Sequence, residues 1–338
     1  MAKTIIHRFF WSIFVLIGLS IIIFGLLRIV PGDPARVALG PKASAEIVEA
    51  YREKMHLNES VAVQYVYWLK DVLHGDLGDS LITRRAVITD IKSFLPATIE
   101  LVFFAGFIQI LFGQLIGIFT TAFHNRWPDY IMRVISYIGV ATPSFVMAVL
   151  LIFIFGYTIP VLPSIGGRIS SDYNIPVVSS MMLIDTLIAM NFEAFKDAFL
   201  HILFPGLSLA IANMMQEAKM TKSSMVDNMS KDYIAMVTSQ GTPKKVINSK
   251  YLLKPSIIPA VSIMGLDFAA SFGNAFLVEQ IFDWNGLSSY GITAIMQKDI
   301  NAVCAVVLIY GVVFIIVNVI VDLIVAWLDP RMQQQISS

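Results

Sequence analysis

The sequence predicts an all-α integral membrane protein with six transmembrane helices and a small helical extracytoplasmic segment after the first helix. Composition is the first reason: 57% of the 338 residues are hydrophobic and 14% are charged, whereas soluble domains have about 45–50% apolar and about 25% charged residues. The second reason is the presence of six long apolar runs, since about 20 such residues cross a hydrocarbon layer about 30 Å thick. The third is that a single stretch, 31–96, has soluble character.

Each of the six apolar runs predicts one spanning helix. The runs are 9–27, 101–123, 134–157, 198–216, 255–278 and 300–321. Only Asp267 interrupts the fifth run, and Pro143 and Pro205 are expected to kink their helices, as membrane bundles tolerate. A seventh apolar stretch, 173–184, is too short to cross the bilayer, so we expect an outer surface segment packed on the bundle.

Charge and cysteine content exclude other classes of protein. The net charge is zero, which argues against a nucleic-acid binder with a basic face. The single cysteine, Cys304, has no disulfide partner in its own chain. The first apolar run is longer than a typical signal-peptide core and ends without a small-x-small cleavage site, so we expect a retained first helix.

Lysine and arginine residues predict which loops lie inside the cell. If the N-terminus is cytoplasmic, the inner segments hold twelve of these residues and the two shorter outer loops hold three. The twelve are Lys3, Arg8, Arg126, Arg133, Lys219, Lys222, Lys231, Lys244, Lys245, Lys250, Lys254 and Arg331, and the three are Arg168, Lys196 and Lys298. The positive-inside rule therefore predicts that both termini are cytoplasmic.

The outer segment after the first helix is expected to contain two short helices. Residues 44–56 carry a helical charge pattern, and Asn58 is a candidate N-cap for a second helix that runs to Leu73. The sequence His-Gly-Asp-Leu-Gly-Asp at 74–79 is typical of a turn. Such a segment either stabilises the outer mouth of the bundle or forms a docking surface for an external protein, and the two roles are compatible.

The inner loop at 217–254 contains the most informative local pattern. We expect Ser230 to cap a helix that begins at Lys231, and Gly241 to end that helix in the left-handed conformation. Thr242 then caps a second helix whose first residue is a proline. The resulting helix–turn–helix bend is either a solvated hairpin near anionic headgroups or a rigid knob that inserts into a partner.

This loop carries a resemblance to a known family. The segment DYIAMVTSQGTPKKVINSKYLLKPSIIPAV at 232–261 resembles the coupling-loop motif of permease subunits of ABC importers, in the dipeptide/oligopeptide/nickel branch and closest to its dipeptide subgroup. Asp232 and Tyr233 precede the motif glycine, and a proline follows that glycine after 18 residues. The general motif begins Glu-Ala-Ala, whereas this chain has Ala-Met-Val at 235–237.

Further strings along the whole chain are similar to the same family and occur in the same order. They are PGDPAR (31–36), HGDLGDS (74–80), ATPSF (141–145), LPSIGGRIS (162–170), LIDTLIAMNFEAFKDAFLHILFPGLSLA (183–210), TKSSM (221–225), FLVEQIFDWNGLSSYGITAI (276–295) and VDLIVAWLDPRM (321–332). The family usually has proline where this chain has Asn285. The order and spacing of these strings identify the chain as a member of the family.

The resemblance implies the type I ABC importer permease fold in a prokaryotic inner membrane. It also implies four kinds of partner: a second homologous permease subunit in a heterodimer, two ABC ATPase subunits, an extracytoplasmic substrate-binding protein and the lipid bilayer. The residues implied for ATPase coupling are Asp232, Tyr233, Ala235, Gly241, Thr242, Pro243, Lys244, Lys245 and Pro259. The sequence contains no G-x-x-x-x-G-K-[ST] phosphate loop. We therefore expect no enzyme activity, catalytic residue, metal site or cofactor in this chain, with ATP and Mg used by the ATPase subunits.

Polar residues near or within the apolar runs are candidates for substrate contact. A carboxylate at mid-bilayer is costly and must face the bundle interior or a wet cavity. Asp267 is therefore expected either to line the translocation path and contact a cationic group or to bond another helix. Glu279 is a candidate for the path, for pairing with Lys298 or for interface anchoring, and His201 is expected to be structural. The path candidates are Asp267, Glu279 and Asn274, and the candidates for binding-protein docking are Asp76, Asp79 and Trp284.

These features predict four regions and leave the cargo open. The regions are a first helix at 1–30, an extracytoplasmic segment at 31–96, a five-helix core with the coupling loop at 97–329, and a cytoplasmic tail at 330–338. Peptides are the expected cargo, with nickel chelates, oligosaccharides, glutathione or haem as alternatives within the family. The alternatives from other classes are a secondary transporter or channel and a membrane anchor or receptor. A secondary transporter would have paired charged residues within several spans, and the sequence indicates one deep charge, Asp267, which argues against it.

Overall fold

The computed structural model describes residues 2–29, 33–40, 42–159 and 166–328, and this part of the chain is helical throughout apart from turns and short connections. The helices are α1 Ala2–Ile29, α2 Pro34–Leu39, α3 Ala45–Lys54, α4 Val61–Leu73, α5 Val87–Ala122, α6 Trp127–Ala141, α7 Ser144–Leu151, α8 Met182–Ile188, α9 Phe192–Met229, α10 Asp232–Ser239, α11 Lys244–Val246, α12 Lys254–Ile281, α13 Leu287–Met296 and α14 Ile300–Leu328. Segments of π-helical geometry follow α7 at Ile152–Thr158 and join α11 to α12 at Ile247–Leu253. The expected tail at 330–338 lies outside the described residues, as do parts of the strings at 31–36, 162–170 and 321–332.

Five helices in the described part of the chain are long and apolar enough to cross a membrane. They are Phe10–Ile29 of α1, Val87–Ala122, Phe192–Met229, the continuous helix Lys244–Ile281 and Ile300–Ile324 of α14. Each contains one predicted run, so five of the six predicted spans are confirmed. The helices extend well beyond those runs, and α5 begins 14 residues before the run at 101–123. The predicted boundary at residue 96 therefore falls inside a continuous helix.

The third predicted run does not form one straight helix. Trp127–Ala141 and the helix Ser144–Thr158 meet at an angle of 106°. Thr142 is extended there, with φ −91° and ψ 115°, because a residue before proline is disfavoured in the α conformation and Pro143 cannot donate a backbone hydrogen bond. The two halves count as a sixth span only if they cross the membrane as one broken helix.

The bundle has two distinct ends, named here after the helices that lie there. At the α4 end, Val87 and Ile91 of α5 pack with Leu287 of α13 and Val303 of α14. At the α10 end, Ile118 of α5 packs with the short helix α10. Because α1 runs towards the α4 end and α14 runs away from it, the described chain begins and finishes at the α10 end.

At the α4 end, the predicted N-cap Asn58 is wrong, whereas the predicted packing of the stretch 173–184 is confirmed. The second short helix begins after Ser60, not after Asn58, and Asn58 Nδ2 donates to Glu49 Oε1 of α3 at 2.8 Å. The stretch at 173–184 does pack on the bundle: Glu100 of α5 accepts hydrogen bonds from the amides of Met182 and Leu183 at 3.0 and 2.6 Å. These bonds satisfy the free amides at the start of α8.

The core of the bundle is built on close packing between α5 and α9. A Cβ atom on Gly117 of α5 would lie 2.7 Å from Thr221 Cβ and 3.0 Å from the Ala218 carbonyl oxygen of α9. The two backbones approach this closely only because the residue is glycine, as is common between membrane helices. Helices α5 and α9 therefore form the rigid pair on which α7, α12 and α14 pack.

Candidate functional site

The loop between α9 and α12, named here the α10 loop and comprising residues 230–253, is a stiff helix–turn–helix. Its first helix begins one residue later than predicted, because Lys231 is the N-cap and Ser230 Oγ donates back to the Asp227 carbonyl at 2.8 Å. Its second helix begins at Lys244 with Pro243 as the N-cap. The predicted caps Ser230 and Thr242 are therefore wrong, although the helix–turn–helix order is confirmed.

The turn of the α10 loop depends on Gly241. Its φ is +74°, a left-handed conformation that glycine adopts without the steric cost imposed by a side chain. A Cβ atom at this position would meet no atom within 4 Å, so backbone conformation and not space requires glycine here. The predicted role of Gly241 in ending the first helix is confirmed.

Apolar contacts fix the α10 loop to the bundle. Ile234 and Val237 of α10 are 8% and 5% exposed, and they pack with Met225 of α9, Ile247 and Leu252. The last two residues belong to the π-helical segment that leads without a break into α12. The loop is thus joined to both of its flanking helices by a small core of its own.

Hydrogen bonds reinforce the same connection. Asn228 Nδ2 near the end of α9 donates to Ser256 Oγ of α12 at 2.8 Å. Tyr233 Oη donates to Asn228 Oδ1 at 3.2 Å and lies 3.3 Å from the Tyr251 carbonyl oxygen. Partial burial raises the pKa of the Tyr233 phenol, so the hydroxyl keeps its proton at neutral pH. Helices α9, α10 and α12 are therefore tied together where they meet.

The remaining surface of the α10 loop faces away from the bundle. Of the loop residues implied for coupling, those exposed are Asp232, Tyr233, Ala235, Gly241, Pro243, Lys244 and Lys245, and Thr242 is partly exposed; Pro259, also exposed, lies beyond the loop in α12. Met236 adds an apolar side chain that is 57% exposed. This surface combines apolar and basic groups on a rigid support, which suits insertion into a groove of another protein.

A second feature is a polar stripe on the open face of α12. Asp267 is half-buried and lies at the middle of the apolar run 255–278, and Asn274, two turns further along, is exposed. Gln216 of the neighbouring α9 is exposed and donates from Nε2 to both Asp267 carboxylate oxygens, at 3.3 and 3.4 Å. Polar side chains at this depth do not face lipid, so the stripe faces a wet cavity or another protein.

Beneath the stripe lies a polar network that the sequence analysis missed. Asn213 Nδ2 of α9 lies within 3.2–3.4 Å of Gln109 Oε1, Ser271 Oγ and the Asp267 carbonyl oxygen. Gln109 in turn donates to the carboxylate of Glu217, which is fully buried. Asp267 is therefore not the only deep carboxylate, and the prediction of one deep charge is wrong. A glutamine within the run 101–123 was the available sign, since buried polar groups require partners.

Glu279 is also fully buried and lies away from the open face. Its carboxylate accepts hydrogen bonds from Thr98 Oγ1 at 2.5 Å and from the Ser289 amide at 2.9 Å. The same threonine hydroxyl accepts from the Leu287 amide at 2.8 Å. Glu279 thus joins α5, α12 and the first turn of α13, and it is not exposed to the open face, so its role in the path stays a prediction.

The candidates for binding-protein docking separate into two groups. Asp76 and Asp79 are exposed on the turn at the α4 end, and Asp76 Oδ1 accepts from the Gly78 amide at 2.8 Å. Trp284 is only 1% exposed, and its Nε1 donates to the Ala97 carbonyl at 3.1 Å. Trp284 is therefore unavailable to an external protein in this conformation, whereas the role of the two aspartates stays a prediction.

The sequence analysis also did not predict an ion pair at the α4 end between Arg168 and Glu100, named here the clamp. Arg168 Nη2 lies 2.5 Å from Glu100 Oε2, and both side chains are largely buried. The Arg168 guanidinium also lies over the Trp284 ring, 5.5 Å from its centroid. With the two amides of α8, this ion pair fixes the connection between α7 and α9 against α5.

The described residues contain no cluster of three His, Cys, Asp or Glu side chains that could hold a metal ion. His201 is 7% exposed, and its Nδ1 lies 2.8 Å from the Asp197 carbonyl oxygen in the preceding turn of α9. Asp197 in turn accepts hydrogen bonds from the Ser170 amide and hydroxyl. These contacts place His201 in the packing of the α4 end.

Comparison with known proteins gives consistent matches along the chain. The family described as "Binding-protein-dependent transport system inner membrane component" matches residues 113–334, and its N-terminal counterpart matches residues 1–102. A probable D,D-dipeptide transport system permease protein of Escherichia coli is 34% identical, over 95% of this chain and 97% of the relative. A dipeptide transport system permease protein of Alkalihalophilus pseudofirmus is 34% identical, over 94% and 96%. A glutathione transport system permease protein of Salmonella typhimurium is 30% identical, over 98% and 99%.

Proposed function

Since the chain belongs to the family of binding-protein-dependent transport system inner membrane components, the permeases of ABC importers, we propose that its cargo is a dipeptide or short oligopeptide. Two relatives that match nearly the whole chain are named dipeptide or D,D-dipeptide permeases, and this supports the choice of cargo. The protein is a multi-pass membrane component, and its all-helical fold is that of a type I permease.

The observation that carries the proposed mechanism is the rigid attachment of the α10 loop to two long helices. A push on the exposed surface around Gly241 would be transmitted to α9 and α12 as rigid-body motion, because the loop shares a core and hydrogen bonds with both. In the proposed arrangement this loop docks in the groove of an ATPase subunit, and the two ATPase subunits of the complex use the ATP and Mg, which this chain does not bind. Nucleotide-driven closure of the ATPases then switches the spans between inward- and outward-facing states.

The proposed function also includes an orientation of the chain in the membrane and a second subunit that forms the other half of the channel. The positive-inside rule, applied to the twelve lysine and arginine residues of the inner segments, supports a cytoplasmic location for the α10 end. A second, homologous permease covers the polar stripe of Asp267 and Asn274, so that the translocation path runs between the two subunits. The extracytoplasmic binding protein docks at the α4 end, where Asp76 and Asp79 are exposed.

Glutathione import is the second candidate, favoured by relatives of that name that match 98% of the chain. Purification of the intact complex from its native membrane, with identification of its subunits and of the ligand in its binding protein by mass spectrometry, decides between the two. We expect a second permease, two ATPases and a bound short peptide. Bound glutathione would overturn the choice of cargo, and a chain that purifies without ATPase subunits would overturn the proposal as a whole.

A further inference from the structure

We propose that Asp267 and Gln216 form a cation-recognition point in the path, which contacts the ammonium group of a peptide as it passes. The permease itself then favours peptides that carry an amine, beyond the selection made by a binding protein. This inference deepens the proposed function and rests on it.

The geometry leaves the Asp267 carboxylate able to accept further hydrogen bonds. Its two bonds from Gln216 Nε2, at 3.3 and 3.4 Å, are longer than the usual 2.9–3.0 Å for N–H···O bonds. An ionised carboxylate has two oxygens with about four acceptor sites. An ammonium group with three donors can therefore bind Asp267 without displacing Gln216.

The charge of Asp267 is uncompensated within the described part of the chain. Asp129 has Arg133 and Lys222, and Asp90 has Arg85. None of the ion pairs observed in the described part of the chain involves Asp267. Because a lone carboxylate at mid-bilayer is costly unless it takes up a proton or meets a cation, we assign Asp267 a cation that the described residues do not supply. Its two possible sources are the cargo and a basic residue of a second subunit.

The surface around Asp267 is shaped for a small cargo. Further along the same face, Asn274 is exposed. Asn274 follows Asp267 by seven residues, about 10 Å along the helix axis. An extended peptide of three residues spans about the same distance. The stripe thus presents an acceptor for an ammonium group and an amide donor for a carboxylate at a separation that suits a short peptide.

The first test measures the charge at this point without any cargo. In the purified complex, Gln216→Cys is labelled with a cationic and a neutral water-soluble thiol reagent of equal size; native Cys304 is fully buried and gives little background. We expect the cationic reagent to react roughly tenfold faster, and the double variant with Asp267→Asn to lose this preference. Equal rates in Gln216→Cys would mean that a second subunit supplies the cation. Absence of labelling would mean that the face is not wet. Either outcome overturns the inference.

The second test measures cargo preference in the reconstituted importer. Saturated uptake is compared for a free peptide, its N-acetylated form and an N-acetylated form with one lysine, in wild type, Asp267→Asn and Asp267→Glu. We expect Asp267→Asn to reduce the preference for amine-bearing peptides roughly tenfold and Asp267→Glu to retain most of it. The lysine peptide distinguishes a side-chain amine from the amino terminus. An unchanged preference in Asp267→Asn overturns the inference and leaves the proposed function intact. A wild-type importer that takes up no peptide overturns the proposed function, and the labelling rates still decide whether Asp267 attracts cations.

Discussion

The side-chain amide of Asn228, one residue before the end of α9, donates a hydrogen bond of 2.8 Å to Ser256 Oγ in the first turn of α12. The same asparagine accepts from the Tyr233 hydroxyl of α10. One side chain thus connects both long helices that flank the α10 loop and the loop itself. A force applied to the loop is therefore distributed to two spans at once.

We expect Asn228→Ala to weaken coupling between ATP hydrolysis and transport. Loss of the amide removes the bonds to Ser256 and Tyr233, and each such bond contributes about 1 kcal/mol. The number of ATP molecules hydrolysed per peptide imported should rise, while the chain still inserts and assembles. Asn248→Ala is the matched control, because Asn248 is exposed in the same loop. Equal coupling in the two variants would contradict the role of Asn228.

Gly241→Pro is expected to uncouple the ATPases or block their assembly. Proline fixes φ near −65°, whereas this turn requires +74°, so the loop must change shape. Insertion into the membrane should be normal, as measured by the amount of chain extracted from membranes. Gly241→Asn serves as the control, since asparagine tolerates left-handed φ, and it should retain most of the transport activity. A fully active Gly241→Pro variant would show that the turn does not dock.

We expect Glu217 to stabilise the fold and to take no direct part in transport. Two different substitutions of Glu217 test this. Glu217→Leu leaves the buried amide of Gln109 without its acceptor, at a cost of about 1–3 kcal/mol, and should lower the unfolding temperature of the detergent-solubilised chain. Glu217→Gln keeps a carbonyl acceptor and should have nearly wild-type stability and uptake. Loss of uptake in a stable Glu217→Gln variant would assign this carboxylate a part in transport.

Glu100→Ala should release the connection between α7 and α9. Without the carboxylate, Arg168 is left largely buried and unpaired, and the amides at the start of α8 lose their acceptor. Removing one partner of such a pair typically costs about 3 kcal/mol. Hydrogen exchange at 166–188 should accelerate, whereas Glu193→Ala, at an exposed position, should leave it unchanged. Unaltered exchange in Glu100→Ala would contradict the clamp.

Hydropathy was sufficient to locate most of the spans, because roughly 20 apolar residues have few alternatives to a membrane helix. It was insufficient to locate their ends. The fourth apolar run ends at residue 216, yet α9 continues beyond Glu217 to Met229, since a buried carboxylate with a partner on α5 is compatible with the bundle interior. The proline at 143 predicts a kink, and the observed angle of 106° is much larger than a kink within one continuous helix.

The candidate site was predictable where local conformation determines it. Gly241 was identified from the pattern of helix, glycine and proline, because the left-handed turn is a property of a few adjacent residues. The burial of Glu279 and Trp284 could not be predicted in this way, because it depends on contacts with Thr98 and Ala97, about 180 residues earlier in the sequence. No periodicity within one segment reveals such a contact.

The central claim, ATP-driven peptide import through the α10 loop, is tested most directly by uptake into proteoliposomes. The purified chain is reconstituted with its partner subunits and binding protein, and uptake of a labelled dipeptide is followed. The account predicts uptake that requires ATP on the side of the membrane where the α10 loop lies, and the binding protein on the opposite side. This uptake is lost in Gly241→Pro but not in Gly241→Asn. Uptake that proceeds without ATP, driven by an ion gradient alone, would contradict it.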